Sequence, residues 1–552
     1  MQVDEEGRIG NLTIKNRIVM APMISNLGNP DGSTNNNHIA YLEERAKGGA
    51  GLIITEYTYI DRINSRGSRN QLGMYSTNLV PKLKRLTERV HGHGSRIFMQ
   101  LVHAGGKASS SINGVEPMAP SAVDYIGHTP REMSGDDIEN VIESFTKAAR
   151  YAYQANFDGI ELHGAHGYLL QEFMSPALNK RNDRFGGSFE NRLRISQEII
   201  DRIKSELDFT VGIRLSLYED DLDGYDPDYG VRIAETLRNI DYAHFSAGRF
   251  APPGSSASFY DSRTHILNRL PRKPGVATMV VGSVIGRQDA EAVLKKADFV
   301  SVGRAMLADP YFASKVMHDP SSIRPCIRCN QGCRDLAYGE VRCTVNPDVG
   351  HENFKRFSRF TGKVTIVGAG VKGLEAALTA AKIGLDVTLY EKREEVGGQL
   401  LDISDEKKKA EFLPLLEYYR TALARLGVEV VTGEEYSGEG LYCLPDSIYP
   451  EIQEKEEVAI DSNVFQYHDL ALKLSRNHKV FLSERSLSSL DRSRQMRYRE
   501  CAENLGIEIV DHRGRTFDIV RFEKSQYDIS KAMLSGRNAI LGYIEGINSY
   551  PL

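Results

Sequence analysis

FDGIELHGAHGYLLQEF (157–173) sets the reading of the first half of this chain. It opens as FDGIEL (157–162), an apolar run with the character of a buried strand, then turns through glycines into a helical pattern. The same unit recurs on both sides. Upstream lie RIVMA (17–21), GLIIT (51–55) and RIFMQL (96–101); downstream follow TVGIRL (210–215), YAHFS (242–246), TMVVG (278–282) and FVSVG (299–303). Helical stretches such as YLEERAKGGA (41–50) and NRLRISQEIIDRIKSEL (191–207) separate them. Eight strand–helix repeats predict an α/β chain whose residues 1–320 form a (β/α)8 TIM barrel, with its chemistry at the C-terminal strand ends. An open doubly wound sheet is the alternative, but eight strands at this spacing favour closure.

Composition narrows the class. The 552 residues carry 69 Lys+Arg against 74 Asp+Glu, a formal net charge of −5, with 41% hydrophobic residues. Without a long basic run, nucleic-acid binding has no support. No stretch of about 18 apolar residues predicts a membrane span. The start MQVDEEGRIG is acidic where a signal peptide would be basic and then apolar, so a cytoplasmic protein is expected.

Four of the six cysteines, Cys326, Cys329, Cys333 and Cys343, crowd into one segment. That placement points to a metal site rather than a disulfide framework. Structural zinc usually prefers two separated knuckles, whereas CIRCNQGC (326–333) resembles iron–sulfur ligation; zinc is the alternative. Cys443 and Cys501 stand alone and read as buried thiols.

A polar connector, HENFKRFSRFTG (351–362), leads into KVTIVGAGVKGLEAALTAAKIGLDVTLYEK (363–392). Gly368, Gly370 and Gly373 form GxGxxG between a strand and a helix, and Glu391 ends the next strand, where an acidic side chain would meet a ribose hydroxyl. Residues 457–486 repeat the strand–helix–strand rhythm, with Asp461, Asn463 and Gln466 where glycines would lie. Side chains there would block a pyrophosphate, and Asp461 would repel it.

The densest chemistry follows the fourth strand. His163 and His166 can donate hydrogen bonds to one carbonyl oxygen, and Tyr168 can supply a proton. A metal pair, which would want a third ligand, and buried structural histidines are the alternatives. Arg214, ending the fifth strand, would bring a permanent cation to an electron-rich ring, or form an ordinary barrel ion pair. Gln100 offers an amide to a ring edge. Gly282–Ser283 and Gly303–Arg304 end the seventh and eighth strands, the usual phosphate site of this fold.

Residues 1–320 resemble the flavin barrel of the old yellow enzyme family: APM (21–23) follows its first-strand signature and NKRNDRFGGSFENRLR (179–194) its signature after strand four. With the cysteine segment and the glycine loop, the whole chain resembles the multidomain branch containing 2,4-dienoyl-CoA reductase, 2-enoate reductase and trimethylamine dehydrogenase. The resemblance implies an FMN-binding barrel (1–320), an iron–sulfur segment and linker (321–360) and an FAD- or ADP-binding Rossmann-like domain (361–552). Within the last, about 450–510 would be a degenerate NAD(P)H-domain remnant.

FMN would touch Pro22, Met23, Gln100 and Arg214, with its phosphate on Gly282, Gly303 and Arg304. A [4Fe–4S] cluster would sit on Cys326, Cys329, Cys333 and Cys343, and FAD or ADP on Gly368, Gly370, Gly373 and Glu391. His163 and His166 would bind a substrate carbonyl, and Tyr168 would donate the proton. The implied activity is reduction of the C=C bond of an α,β-unsaturated carbonyl or enoyl substrate, with electrons passing from NAD(P)H through FAD and the cluster to FMN. Trimethylamine dehydrogenase carries a tyrosine at the first histidine position, so the pair here favours an ene-reductase. The rivals are a dehydrogenase feeding a protein electron carrier and a non-catalytic electron-transfer flavoprotein subunit. A homo-oligomer is expected. Two features depart from the family: LYCLPDS (441–447) replaces an Ala-Thr-Gly-like turn, and Phe517–Asp518 stands where many FAD domains carry Gly-Asp.

Overall fold

Eight parallel strands close into a barrel: β1 (Ile18–Met20), β2 (Leu52–Ile54), β3 (Arg96–Val102), β4 (Gly159–Gly164), β5 (Thr210–Ser216), β6 (Tyr242–Ser246), β7 (Ala277–Val281) and β8 (Phe299–Val302). Each strand pairs with its neighbours in sequence, and β8 returns to β1 with Val300 opposite Ile18 and Val302 opposite Met20. Closure explains why these runs are largely apolar rather than alternating: both faces of each strand are covered. This computed structural model describes residues 1–124, 127–221, 223–249, 257–334, 336, 339–353, 359–444, 457–461, 465–490, 492–511, 519–520 and 529–548.

An antiparallel hairpin, Gly7–Ile9 with Leu12–Ile14, closes the floor of the barrel. Its Ile9 and Ile14 join Val19, Leu52, Ile54, Phe98, Tyr242, Met279 and Phe299 in one buried cluster. The helix expected over 41–50 is observed as α1 (Asn36–Lys47), started by the Asn35 side chain accepting the His38 amide. It stops before Gly49, whose φ of 95° is outside the helical range. After β4, α2 (Phe189–Glu206) is capped by Ser188, which accepts the Asn191 amide.

Beyond the barrel, β9 (Lys363–Val367), α3 (Val371–Lys382), β10 (Asp386–Glu391), β11 (Glu429–Thr432) and β12 (Leu441–Tyr442) build a parallel sheet ordered β11–β10–β9–β12. A second parallel sheet contains β13 (Glu457–Ile460), β14 (Lys479–Ser483), β15 (Glu508–Val510) and β16 (Ile519–Val520), with α4 (Phe465–Leu474) between the first two and α5 (Arg492–Asn504) before β15. A last helix, α6 (Ile529–Asn548), packs on α3, where a Cβ on Gly536 would stand 2.1 Å from the Lys372 carbonyl oxygen.

One apolar core runs from the barrel through Cys326, Ile327 and Val341 into the first sheet, while Val458, Ile460, Val480, Leu482 and Tyr498 belong to a core of their own. Buried polar ties join the parts: Arg324 donates to the Val345 carbonyl at 2.6 Å and pairs with Glu375 at 3.3 Å. Among the described residues no helix is long and apolar enough to cross a membrane.

The second sheet keeps the rhythm read from 457–486. Asp461, at the end of β13, is ion-paired with Arg485 just beyond β14. Asn463 and Phe517–Asp518 lie outside the described residues, as does the side chain of Gln466. Cys443 is buried, but Cys501 is only half-buried, a correction to the reading of both as buried thiols. On α5 the inward positions are taken by Tyr498 and Ala502, which leaves Cys501 at the rim of the core.

Candidate active site

The register across β3, β4, β5 and β6 decides which side chains meet. Gln100 lies level with Glu161, and Arg214 stands between His163 on one side and His244 on the other. Above them opens a cavity of about 330 Å³ at the C-terminal strand ends. Its lining includes Pro22, Met23, Gln100, Arg214, Gly282, Gly303 and Arg304 together with His163, His166 and Tyr168, so all ten barrel residues singled out in the sequence border one space.

The imidazoles of His163 and His166 are 5.1 Å apart at 86°, and the Tyr168 ring is 4.8 Å from His163. Burial, with the Arg214 charge second, holds both histidines well below the ordinary imidazole pKa, so they are neutral. His163 Nδ1 accepts the Ala165 amide at 3.3 Å, which puts its proton on Nε2. His166 Nε2 lies 2.7 Å from the Ser246 hydroxyl, and His166 takes a φ of 60° on the turn after β4.

Arg214 reaches the Pro22 carbonyl at 3.3 Å and Ser246 Oγ at 3.4 Å. Burial lowers its pKa to about 10, partly offset by the Glu161 charge. Glu161, fully buried, accepts from Gln100 Nε2 at 2.7 Å and Tyr242 Oη at 3.1 Å, and contacts His244 Nδ1 at 2.9 Å.

Two buried polar atoms on this cavity, Arg214 Nε and Ser301 Oγ, have no hydrogen-bond partner among the described residues. Buried donors left open in this way suit a bound molecule that carries acceptors. At the rim, Arg304 contacts Asn330 and donates to Ser283 Oγ at 3.1 Å. Gly282 has φ 150°, so its turn favours glycine, while a Cβ on Gly303 would lie 3.3 Å from Met23 Sδ, a tight contact. These turns and Arg304 have the character of a phosphate site.

Cys333 and Arg334 border the same cavity. All four clustered cysteines are free thiols that sense one another's charge; burial and mutual repulsion raise the pKa of Cys326, Cys333 and Cys343. Such a set of soft donors, with Arg304 opposing their repulsion, suits a bound metal group by its chemistry. Among the described residues no three His, Cys, Asp or Glu side chains are gathered tightly enough to hold a metal ion.

A second cavity, of about 900 Å³, lies over the glycine loop and is lined by Gly368, Gly370, Glu391, Arg393, Lys473 and Ile529 among others. Gly373 is forced by packing, because a Cβ there would stand 1.8 Å from the Gly368 carbonyl oxygen. The Glu391 carboxylate turns back to accept the Ala369 amide at 2.8 Å and the Arg393 amide at 3.0 Å, bracing the loop.

Residues 8–321 match the family described as NADH:flavin oxidoreductase / NADH oxidase. The chain belongs to that family. It is therefore an enzyme, a flavin oxidoreductase, and membership implies FMN in the barrel. Residues 366–417 match the NAD(P)-binding Rossmann-like domain, which implies a nucleotide there.

Among its relatives, a NADH oxidase of Thermoanaerobacter brockii is 39% identical over 80% of this chain and 71% of its own length. A cinnamate reductase of Clostridium sporogenes is 34% identical over 77% of this chain and 69% of its own length. The solved structure of 2-naphthoyl-CoA reductase with 2-naphthoyl-CoA superposes with a TM-score of 0.84 at 24% identity, covering 92% of this chain and 87% of that one. These matches place the family member in the multidomain old yellow enzyme branch that the sequence resembled.

Sequence reasoning missed several residues of the site, Ser246 and Ser301 among them. Tyr57, Lys107 and Arg334 line the cavity beside Tyr168, and Glu161 lies beneath it. Lys107 Nζ donates to the carbonyls of His166 and Arg249, both at 2.6 Å, and lies 5.7 Å from the Tyr168 ring centre. Extending the search for polar residues to the end of the second strand would have found Tyr57.

Proposed function

We propose that this flavin oxidoreductase reduces the C=C bond of an α,β-unsaturated carbonyl compound. The observation carrying this reading is the convergence of two neutral imidazoles and one phenol on a single cavity in the barrel mouth. A neutral His163 with its proton on Nε2 donates to a carbonyl oxygen. A Ser246 hydroxyl donating to His166 Nε2 leaves the second proton on Nδ1 for the same oxygen. Two such donors stabilise the negative charge that grows on oxygen as an enolate forms, a task for which aimed hydrogen bonds are strongest in a dry site. Tyr168, 4.8 Å from His163 ring to ring, then supplies the proton to the α-carbon.

Pro22, Met23, Gln100, Arg214, Gly282, Gly303 and Arg304 would hold FMN, whose chemistry when bound would be to supply a hydride to the β-carbon. Arg214 Nε and Ser301 Oγ, donors with no partner among the described residues, fit such a group. Cys326, Cys329, Cys333 and Cys343 would hold a [4Fe–4S] cluster, whose chemistry is one-electron transfer. Gly368, Gly370, Gly373 and Glu391 would hold the ADP part of FAD. NAD(P)H is the proposed reductant.

The test is anaerobic purification followed by measurement of FMN, FAD and iron per chain and of flavin reoxidation by 2-cyclohexen-1-one. One FMN, about four iron atoms and rapid reoxidation by the enone support the reading. A photoreduced enzyme that the enone leaves reduced refutes ene-reduction.

A further inference from the structure

Tyr57 follows β2 and reaches the same cavity as Tyr168, which follows β4. The two rings are 5.3 Å apart at 39°, which brings the two phenols together in the cavity. Tyr57 also lies 6.2 Å from the His163 ring. Its backbone is fixed: the Tyr57 carbonyl accepts from Gln71 Nε2 at 2.9 Å, while Gln71 Oε1 accepts the Gly67 and Ser68 amides.

We propose that Tyr57 is a positioning residue for Tyr168, its hydroxyl donating to the Tyr168 oxygen so that the Tyr168 proton points into the cavity. The inference rests on the reading of Tyr168 as proton donor. A phenol has one proton. Once its oxygen accepts from Tyr57, that proton must point elsewhere, and the cavity is the open side.

The charges around the pair fix which phenol donates. Tyr57 directly follows Glu56, a buried carboxyl that accepts Ser25 and Leu72, so negative charge on Tyr57 is opposed. Tyr168 faces Lys107 from the loop after β3, with neutral His163 and His166 on its own loop, while Arg334 from the cysteine segment acts on both phenols. Negative charge is therefore better tolerated on Tyr168, and Tyr57 keeps its proton. When the Tyr168 O–H bond breaks and the substrate α-carbon gains the C–H bond, the phenolate left behind retains the Tyr57 hydrogen bond. Water then restores the Tyr168 proton.

The test is Tyr57→Phe, which keeps the ring, alone and combined with Tyr168→Phe. Reoxidation of the reduced holoenzyme by 2-cyclohexen-1-one should slow about tenfold to a hundredfold in Tyr57→Phe, the usual effect of losing a hydrogen bond to a charged group. KM should stay within about threefold, and Tyr57→Phe should slow the Tyr168→Phe enzyme no further. A second readout needs no turnover: with ¹³Cζ-tyrosine, the resonance absent from Tyr168→Phe should titrate at higher pH in Tyr57→Phe. A wild-type rate, an equal loss in both backgrounds or an unmoved Tyr168 titration overturns the proposal. If Tyr168→Phe itself reacts at the wild-type rate, the proton-donor reading fails first, and this inference falls with it.

Discussion

Gln100 donates its side-chain amide to Glu161 across the β3–β4 pair, Nε2 to Oε1 at 2.7 Å. That bond ties one amide N–H of Gln100 to Glu161 and so restrains the side chain at the cavity. Glu161 is held in turn by Tyr242 and His244, so a buried carboxyl beneath the cavity orients a neutral group at its floor.

Glu161→Gln should therefore weaken FMN binding without touching it. An amide at 161 no longer discriminates between the two ends of Gln100, and FMN affinity should fall about tenfold, ~1.4 kcal/mol. Fluorescence titration of the deflavinated variant measures this; unchanged affinity would remove Glu161 from the account.

Lys107 gives the site a pH dependence. Burial lowers its pKa to about 8, so the ammonium facing Tyr168 is present below pH 8 and lost above it. Loss of that charge makes the Tyr168 phenolate costlier, and the rate of enone reduction should fall as pH rises through 8. In Lys107→Met this limb should vanish, with a low rate across the range. A limb shared by both enzymes would assign it elsewhere.

Stability should fall in mild acid for a different reason. His103 is buried, bonded to Asn64 Oδ1 at 3.0 Å and to the Gly105 amide at 3.0 Å, and its folded pKa is lowered to about 3 by burial. Below pH 6.5 the unfolded chain takes up a proton that the folded chain refuses, so stability drops by about 1.4 kcal/mol per pH unit for this group. Between pH 7 and 5, denaturant unfolding should show His103→Gln losing about 2 kcal/mol less than the wild type.

Gly373→Val should separate the two cofactor sites. Its side chain would collide with the Gly368 carbonyl at the turn that opens α3. Nucleotide bound over the glycine loop should be lost, while FMN per chain, measured by chromatography of the released cofactors, stays at the wild-type value. Loss of both together would mean that the first sheet and the barrel fail as one unit.

By itself the sequence determined what depends on neighbours along the chain. Strand-length apolar runs at regular spacing specify the barrel, because burial on both faces leaves no polar alternation to read. GxGxxG is legible because close contact between Gly373 and the Gly368 carbonyl is a local demand. His163, His166 and Tyr168 were found because one turn carries all three.

Tertiary structure alone decided what comes from distant segments. Tyr57, Lys107 and Arg334 leave different parts of the chain and meet at Tyr168 only because the barrel closes and the cysteine segment folds back over its mouth. The neutrality of the histidines and the lowered pKa values of Lys107 and Arg214 have the same origin. Each follows from removal of water and from charges brought near by folding, and neither quantity is written in the spacing of residues.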